Sequence, residues 1–347
     1  MMSRRLAEVL GANPPAGAAV TVLAPAYNHE GLVEQSLRSV LSQQFDGEFF
    51  VVAHDDASTD GTPEILRRLV DEFPHRLRVI LQGENTMRLG LSGARLYMLD
   101  IETPYIAFCE GDDLWIDPLK LQKQVDFMNA NPWCNIAHTD VEISNEGGSD
   151  QYALELRSYL DRSQSRALRT PGATLASGNT IMTTTVMLRT SGLRREVLQA
   201  IHDVQPEDFI LFALAAESGD IGFLPEATAR YRLHGSNFWS GLTPLERQGF
   251  EIESLWFMAA HLRGEIQLRI RERLLEILFA TGGDAALAPV RRIRAELSES
   301  HEHEVALQHR LTAAQSAVTR VLSRIQAGEP LTESVVGDLM SFGTSPQ

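Results

Sequence analysis

Short apolar runs alternate with segments of helical periodicity through the first third of the chain. The apolar runs are residues 20–24, 49–53, 77–81 and 105–109. Each is followed by polar or turn-forming residues, as is typical of buried strands. Apolar residues that recur three and four positions apart predict helices after the first two runs, with Asn28 and Thr62 as N-caps. With a further helix expected over residues 92–100, the pattern predicts an α/β fold with a mostly parallel central sheet flanked by helices.

The alternation is looser in the middle of the chain and gives way to helix alone after residue 245. The predicted elements are helices at residues 117–129 and 206–217 and strands at residues 135–144, 182–188 and 221–231. We therefore divide the chain into a leader (residues 1–18), a core domain (residues 19–243) and a C-terminal α-helical extension (residues 244–347). Within the core domain, residues 19–133 and residues 134–243 form two halves.

The helical extension contains a short pattern that is typical of a coiled coil. The apolar positions are Leu307, Leu311, Ala314, Val318, Val321 and Ile325. Their alternating spacing of four and three residues predicts a seam through which two copies would form a homodimer. Because the pattern spans fewer than three heptads, packing of this helix on its own domain is an equal alternative.

Charge and hydropathy exclude several classes of function. The net charge of −15 disfavours a nucleic-acid partner, because such proteins bind the phosphate backbone through clustered Lys and Arg. No apolar run is long enough for a transmembrane segment and no signal peptide is recognisable, so we expect a cytoplasmic protein. Cys109 and Cys134 fall in predicted strands without metal-ligand spacing, and buried thiols are expected there.

Three polar clusters follow predicted strands. They are Pro25-Ala26-Tyr27-Asn28, Asp55-Asp56-Ala57-Ser58-Thr59-Asp60-Gly61-Thr62 and Glu110-Gly111-Asp112-Asp113. Ligands of parallel sheets bind beyond the carboxyl ends of the strands, so all three clusters are expected at one edge. Adjacent carboxylates suit a hard cation such as Mg²⁺ or Mn²⁺. Each cluster taken alone fits a solvated turn equally well.

Together, the three clusters resemble the family 2 glycosyltransferases of the GT-A fold in their order and context. The run Cys109-Glu110-Gly111-Asp112-Asp113-Leu114-Trp115 is especially similar to a branch of bacterial members, and the resemblance extends to Gly241. It implies a GT-A nucleotide-sugar-binding fold and an inverting, non-processive transfer of a sugar to an acceptor hydroxyl. The implied donor is a nucleoside-diphosphate sugar, by family habit a UDP-sugar, and the implied cofactor is Mn²⁺ or Mg²⁺.

The resemblance also implies roles for residues in the three clusters. Nucleotide binding is assigned to Pro25, Tyr27, Asp56, Glu110 and Asp112, and metal binding to Asp112 and Asp113. Glu110 stands where many relatives have aspartate, so its reach to the ribose or the metal shell is open. Ala57 replaces a frequent glycine, from which we expect no positive φ at this turn.

Further roles fall on two segments of the second half. Asp208, before an aromatic residue at the start of a helix, takes the position of the general base, although a helix cap explains it too. Tyr231-Arg232-Leu233-His234 resembles the segment whose histidine approaches metal and diphosphate, and a structural histidine is the alternative for His234. Glu207, Arg232 and Trp239 are further candidates for substrate contacts, with core packing as the alternative for Trp239.

Other classes of protein fit the sequence less well. The first strand is followed by neither a dinucleotide-binding glycine fingerprint nor a P-loop, which disfavours dehydrogenases and P-loop nucleotidases. The expected acceptor is a glycan, glycolipid or protein, in surface glycan or glycoconjugate biosynthesis at the inner face of the membrane. An inactive nucleotide-sugar-binding scaffold of a glycan-assembly complex is the alternative function.

Overall fold

The computed structural model describes residues 8–11, 17–86, 101–161, 166–201 and 207–280. The chain divides into two compact units, one comprising Met1–Asp203 and Asp208–Gly241, the other Val204–Glu207 and Leu242–Gln347. The helix expected over residues 92–100 and the coiled-coil seam expected over residues 307–325 lie outside the described residues.

A ten-stranded sheet forms the centre of the first unit. Its strands are β1 (Glu8–Gly11), β2 (Val20–Ala26), β3 (Phe49–Asp55), β4 (Leu77–Leu81), β5 (Tyr105–Phe108), β6 (Leu114–Trp115), β7 (Cys134–Asn145), β8 (Arg169–Thr170), β9 (Met187–Arg189) and β10 (Asp220–Leu233). The order is β1-β4-β3-β2-β5-β9-β7-β10-β6, with β8 paired to β10. β2, β3, β4 and β5 are parallel, as are β7 and β10, whereas β9 is antiparallel to both of its neighbours. The expected parallel core is confirmed, and antiparallel strands extend it.

The first unit also contains helices, of which those at residues 33–41, 62–72, 120–130 and 207–216 were expected from the apolar periodicity. The helices are α1 (Val33–Leu41), α2 (Thr62–Glu72), α3 (Lys120–Ala130), α4 (Asp150–Asp161), α5 (Arg195–Ala200), α6 (Glu207–Ala216) and α7 (Phe238–Gly241). Leu37 and Val40 of α1 and Leu66 of α2 are fully buried in one core with the side chains of β2 and β3. Burial of these apolar stripes holds the helices against the sheet.

The first helix begins later than expected, because the preceding loop residues bind each other, and the second begins one residue earlier than expected. Asn28 is not an N-cap: its φ is 55°, its side chain accepts a hydrogen bond from the Thr59 amide at 2.8 Å, and α1 begins at Val33. Thr62 lies inside α2, with Gly61 as the capping residue, and its hydroxyl accepts the His29 amide at 2.9 Å. These contacts fasten the loop after β2 to the loop after β3.

The expectation for Ala57 was wrong, because its φ is 61°. This left-handed conformation costs a residue with a Cβ about 1–2 kcal/mol. Two hydrogen bonds hold the turn in this conformation. The Asp55 carboxylate accepts one from the Ser58 amide at 3.1 Å, and the Asp56 carboxylate accepts one from the Thr86 amide at 2.6 Å. A glycine-like backbone is therefore kept at this position without glycine.

Ala57→Gly is expected to stabilise the protein. The substitution removes the left-handed penalty but adds flexibility to the unfolded chain, for a net gain of about 0.5–1 kcal/mol in the free energy of unfolding. Urea denaturation followed by circular dichroism measures it. The matched control is Ala153→Gly within α4, for which a loss of about 1 kcal/mol is expected. Equal destabilisation by both glycines would contradict the left-handed turn.

The described part of the second unit contains two helices, α8 (Pro244–His261) and α9 (Gly264–Ala280), which pack against each other. A capping box begins α8, in which the Thr243 side chain accepts the Glu246 amide and the Glu246 carboxylate accepts the Thr243 amide. Gln267 and Arg271 of α9 donate to the carbonyl oxygen of Ala259 in α8. Among the described residues, no helix has the length and hydropathy needed to cross a bilayer.

Candidate active site

The loops that follow β2, β5 and β10 bring together a histidine, an aspartate and a second histidine. His234 Nε2 lies 3.1 Å from Asp112 Oδ2, and His29 Nε2 lies 3.6 Å from the same oxygen. One ligand atom from each side chain falls within 4.8 Å of the others. The predicted pairing of Asp112 with His234 is present, whereas His29 was missed because a lone histidine in a loop carries no spacing signal.

Backbone contacts position the acidic loop beside the end of β2. The Gly111 amide donates to the carbonyl of Pro25 at 2.8 Å, and Ser36 of α1 donates to the carbonyl of Glu110 at 2.9 Å. Immediately after the loop, β6 pairs antiparallel with β10, joining Trp115 to Ala229. Asp112 and His234 are therefore set by the same strand pair.

The cluster has the charge and chemistry that a divalent cation requires. Burial alone raises the pKa of Asp112, but the hydrogen bond from His234 and the nearby His29 outweigh it and lower the pKa. Burial lowers the pKa of His29, which favours the neutral imidazole that a metal needs. Asn237, missed by the sequence analysis, donates to Asp112 Oδ2 at 3.3 Å. An anionic carboxylate between imidazoles fits the expected cofactor.

Asp113 and Arg232, two further predicted site residues, are buried and hydrogen-bonded to each other. Asp113 is 1% exposed and accepts a hydrogen bond from the Arg232 amide at 3.1 Å. Among the described residues, it lies outside the cluster of His29, Asp112 and His234. The Arg232 guanidinium donates to the carbonyls of Asp112 and Leu32 and to Gln35, and the residue is 2% exposed. Asp113 and Arg232 therefore hold the acidic loop in place, and the metal and substrate contacts expected of them stay predictions.

Asp208 lies at the start of α6 with its carboxylate fixed by three donors. Oδ1 accepts the Phe209 amide at 2.7 Å, and Oδ2 accepts Asn179 at 3.1 Å and the Thr183 hydroxyl at 3.0 Å. Burial raises the pKa of Asp208 despite these hydrogen bonds. The carboxylate is thus oriented and more basic than an ordinary aspartate, which suits it to accept a proton.

Glu110 interacts electrostatically both with Asp208 and with Asp112 of the His29, Asp112 and His234 cluster. Burial, together with the charges of Asp112 and Asp208, raises the pKa of Glu110 to about 8. A hydrogen bond with Thr183, the residue that donates to Asp208, opposes the shift. Glu110 Oε2 is buried without a hydrogen-bond partner. Asp208, the general-base candidate, and Asp112 therefore lie in one electrostatic environment.

The 3₁₀ turn Thr183–Thr185 is held by buried side chains that follow the acidic loop. Trp115 Nε1 donates to the carbonyl of Thr184 at 3.0 Å, and Gln124 Nε2 donates to that of Thr185 at 2.8 Å. Lys120, fully buried over the Trp115 ring, donates to the same Thr185 carbonyl at 3.3 Å. Burial lowers the pKa of Lys120 to about 7. These contacts fix the turn that carries Thr183.

The remaining predicted residues lie at the ends of strands and in helices. Pro25 and Tyr27, at and just after the end of β2, are half-buried, as is Asp56 after β3. Asp56 Oδ1 accepts both the amide and the hydroxyl of Thr86. Trp239 is half-buried in α7, and Glu207 begins α6.

Comparisons with known proteins identify the family of this chain. The model of the family "Glycosyl transferase family 2" matches residues 21–198, slightly more than half of the chain. An uncharacterized protein of Mycobacterium tuberculosis, Rv1520, is 30% identical over 254 residues, which cover 72% of this chain and 68% of that protein. The putative teichuronic acid biosynthesis glycosyltransferase TuaG of Bacillus subtilis is 32% identical over 131 residues, covering 38% of this chain and 49% of TuaG.

Solved structures share the fold at low sequence identity. The S. aureus TarS 1–349 complex with UDP-GlcNAc is similar with a TM-score of 0.58, 16% identity and coverage of 93% of this chain and 90% of that one. The mannosyltransferase PcManGT of Pyrobaculum calidifontis, in complex with GDP-Man and Mn²⁺, has a TM-score of 0.51 and 18% identity, covering 96% and 88% of the two chains. With the sheet order, the family match over residues 21–198 and the relative from Mycobacterium tuberculosis, these findings show that the chain belongs to the family 2 glycosyltransferases and has the GT-A fold.

Proposed function

We propose that residues 19–243 catalyse the inverting transfer of a sugar from a UDP-sugar to an acceptor hydroxyl, with Asp208 as general base and a divalent cation at Asp112 and His234. The observation that carries the proposal is the link between these two groups. The charges of Asp112 and Asp208 both raise the pKa of Glu110. Thr183 hydrogen-bonds to both Glu110 and Asp208. A base and a cation site thus share one edge of the sheet, where a donor and an acceptor meet.

Asp208 performs the proton transfer in this proposal. Thr183 and Asn179 hold Oδ2, and the Phe209 amide holds Oδ1, so the carboxylate keeps one orientation while the acceptor hydroxyl approaches. As the acceptor oxygen attacks the anomeric carbon, its proton passes to Asp208 and the diphosphate leaves on the opposite face. One displacement inverts the anomeric centre. A cation at Asp112 and His234 supplies positive charge for the leaving diphosphate.

The half of the chain up to residue 133 is proposed to bind the donor. Pro25 and Tyr27 offer apolar and aromatic surface for a base, and Asp56 offers a carboxylate beside it. UDP as the nucleotide is supported by the family resemblance and by the TarS complex with UDP-GlcNAc, while PcManGT, solved with GDP-Man, supports GDP as the competitor. Trp239 and Glu207 are proposed acceptor-side contacts. A glycan acceptor is supported by relatives such as the teichuronic acid biosynthesis protein TuaG.

Isothermal titration of the full chain with UDP, GDP and their sugars, each with Mn²⁺ and with chelator, tests this proposal. Metal-dependent binding of one nucleotide and its sugars is expected. Incubation of that donor with candidate acceptors should then release free nucleoside diphosphate. Binding without any turnover would instead support the alternative of an inactive scaffold, and the absence of nucleotide binding would contradict both.

A further inference from the structure

His29 belongs to none of the segments on which the proposed function rests, yet its ring faces the same carboxylate oxygen as His234. Its Nε2 lies 3.6 Å from Asp112 Oδ2, compared with 3.1 Å for His234. A separation of 3.6 Å is too long for a direct hydrogen bond. The two rings approach edge to face, with centroids 6.1 Å apart, so both nitrogens point into one space beside Asp112.

The backbone of His29, and not its ring, is what the surrounding structure holds. The amide donates to Thr62 at 2.9 Å, and the carbonyl accepts the amides of Leu32 and Val33 at 2.9 and 2.8 Å. The ring's Nδ1 is buried without a hydrogen-bond partner. Nδ1 is not the nitrogen that faces Asp112, so the ring is fixed neither by a hydrogen bond of Nδ1 nor by a direct hydrogen bond of Nε2 to Asp112.

Gly111 makes the close approach of this ring feasible. A Cβ atom at Gly111 would lie 2.9 Å from His29 Nδ1 and 2.9 Å from Ala26 Cβ. Any side chain there would displace the imidazole or the end of β2. The glycine of the Glu-Gly-Asp-Asp sequence therefore gives the His29 ring room beside Asp112.

His234 is able to present its Nε2 as a ligand. Its Nδ1 lies 2.9 Å from Ser236 Oγ, and in the tautomer in which Nδ1–H donates a hydrogen bond to this hydroxyl, Nε2 keeps its lone pair for a cation. Such an outer hydrogen bond is the usual means of fixing the tautomer of a metal-bound histidine. Asp112 supplies the one carboxylate of the set.

We propose that His29 is the third protein ligand of the divalent cation, and that the resulting set of two imidazoles and one carboxylate selects Mn²⁺ over Mg²⁺. This inference rests on the proposed function, in which a cation accompanies the donor. Mg²⁺ prefers oxygen ligands and is usually held by carboxylates, phosphates and water, whereas imidazole suits transition metals. Replacing oxygen with nitrogen at two positions penalises Mg²⁺ more than Mn²⁺.

Electron paramagnetic resonance of Mn²⁺ titrated into the full chain, with Mg²⁺ as competitor, measures affinity and selectivity directly. His29→Ala is expected to weaken Mn²⁺ binding at least about tenfold, since loss of outer-shell partners alone costs 10–100-fold. His29→Asp, which restores a ligand as oxygen, should recover binding but lower the Mn²⁺ preference at least about tenfold. His75→Ala, at an exposed histidine in the same unit, is the control and should match the wild type.

The outcomes separate the two proposals. If His29→Ala keeps wild-type Mn²⁺ affinity while Asp112→Asn loses it, His29 is not a ligand and the proposed function stands. If His29→Asp leaves the Mn²⁺/Mg²⁺ ratio unchanged, the selectivity claim fails. A wild-type chain that binds UDP but no Mn²⁺ would overturn the cation site altogether. Thermal melts identify any variant that fails to fold, and His29→Gln, which removes the imidazole but keeps a polar side chain, then replaces it with the same expected loss.

Discussion

Asp208→Asn is expected to lower kcat by about 10²- to 10⁴-fold while donor affinity stays near the wild-type value. The amide keeps the shape of the side chain and an oxygen for Thr183 and Asn179 but cannot accept the acceptor's proton. Single-turnover measurements with saturating UDP-sugar, combined with titration of UDP, separate the loss of chemistry from any loss of binding. Because burial raises the pKa of Asp208, the neutral amide removes an unfavourable charge but loses the acceptor of the Phe209 amide, and thermal melts check that the variant folds.

Asp126→Asn, at an exposed carboxylate in α3, is the matched control and should leave turnover unchanged. The pH dependence gives a second test. The wild-type kcat/KM should rise as pH rises through the elevated pKa of Asp208 in the free enzyme. This rise should be absent from the pH profile of the Asn variant. Normal turnover of Asp208→Asn would remove the general-base assignment, whatever its stability.

Asp112→Asn is expected to abolish the effect of metal on nucleotide binding. The substitution removes the one carboxylate whose oxygen both imidazoles face, so UDP affinity in Mn²⁺ should fall about 100-fold or more, to the value measured with chelator. Isothermal titration of UDP with and without Mn²⁺ measures the difference between the two conditions.

Asp113→Asn provides the comparison. Asp113 accepts the Arg232 amide, and burial, with the charges of Asp112 and Glu110, raises its pKa well above the ordinary value. An amide oxygen can accept the same hydrogen bond, so UDP affinity in Mn²⁺ should stay within a few-fold of wild type. Equal losses of UDP affinity in both variants would support Asp113 as a metal ligand. No loss of UDP affinity in either variant would contradict a metal site in this loop.

The fold was largely predictable because its parallel core is built from continuous apolar runs. The strands at residues 77–81 and 105–109 were placed to within one residue, since both faces of such strands are buried and the signal is strong. The strand expected over residues 182–188 was not placed correctly. These residues form the 3₁₀ turn Thr183–Thr185 and then the short strand β9, because the carbonyls of this turn bind Trp115 and Gln124 instead of a neighbouring strand.

Within the site, the sequence indicated which residues carry charge but not which of them face one another. Asp112 and His234 were paired by resemblance, yet adjacent Asp113 turns into the protein toward Arg232. His29 gave no signal, because its role depends on the close approach of Gly111. Helix signals failed near the same place: Asn28 looks like an N-cap but binds Thr59 across the loop.

The pairing of β6 with β10 places Asp112 and His234 side by side although 122 residues separate them along the chain. During synthesis, the loops after β2, β3 and β5 emerge long before β10, so a nascent or truncated chain carries the segments proposed to bind the donor but lacks His234, one of the three proposed cation ligands. Long-range contacts of this kind form late in folding, after the cost of closing the intervening loop is met. If a cation binds there as proposed, metal affinity reports on completion of the fold, and the ion stabilises the finished chain over all earlier species by mass action.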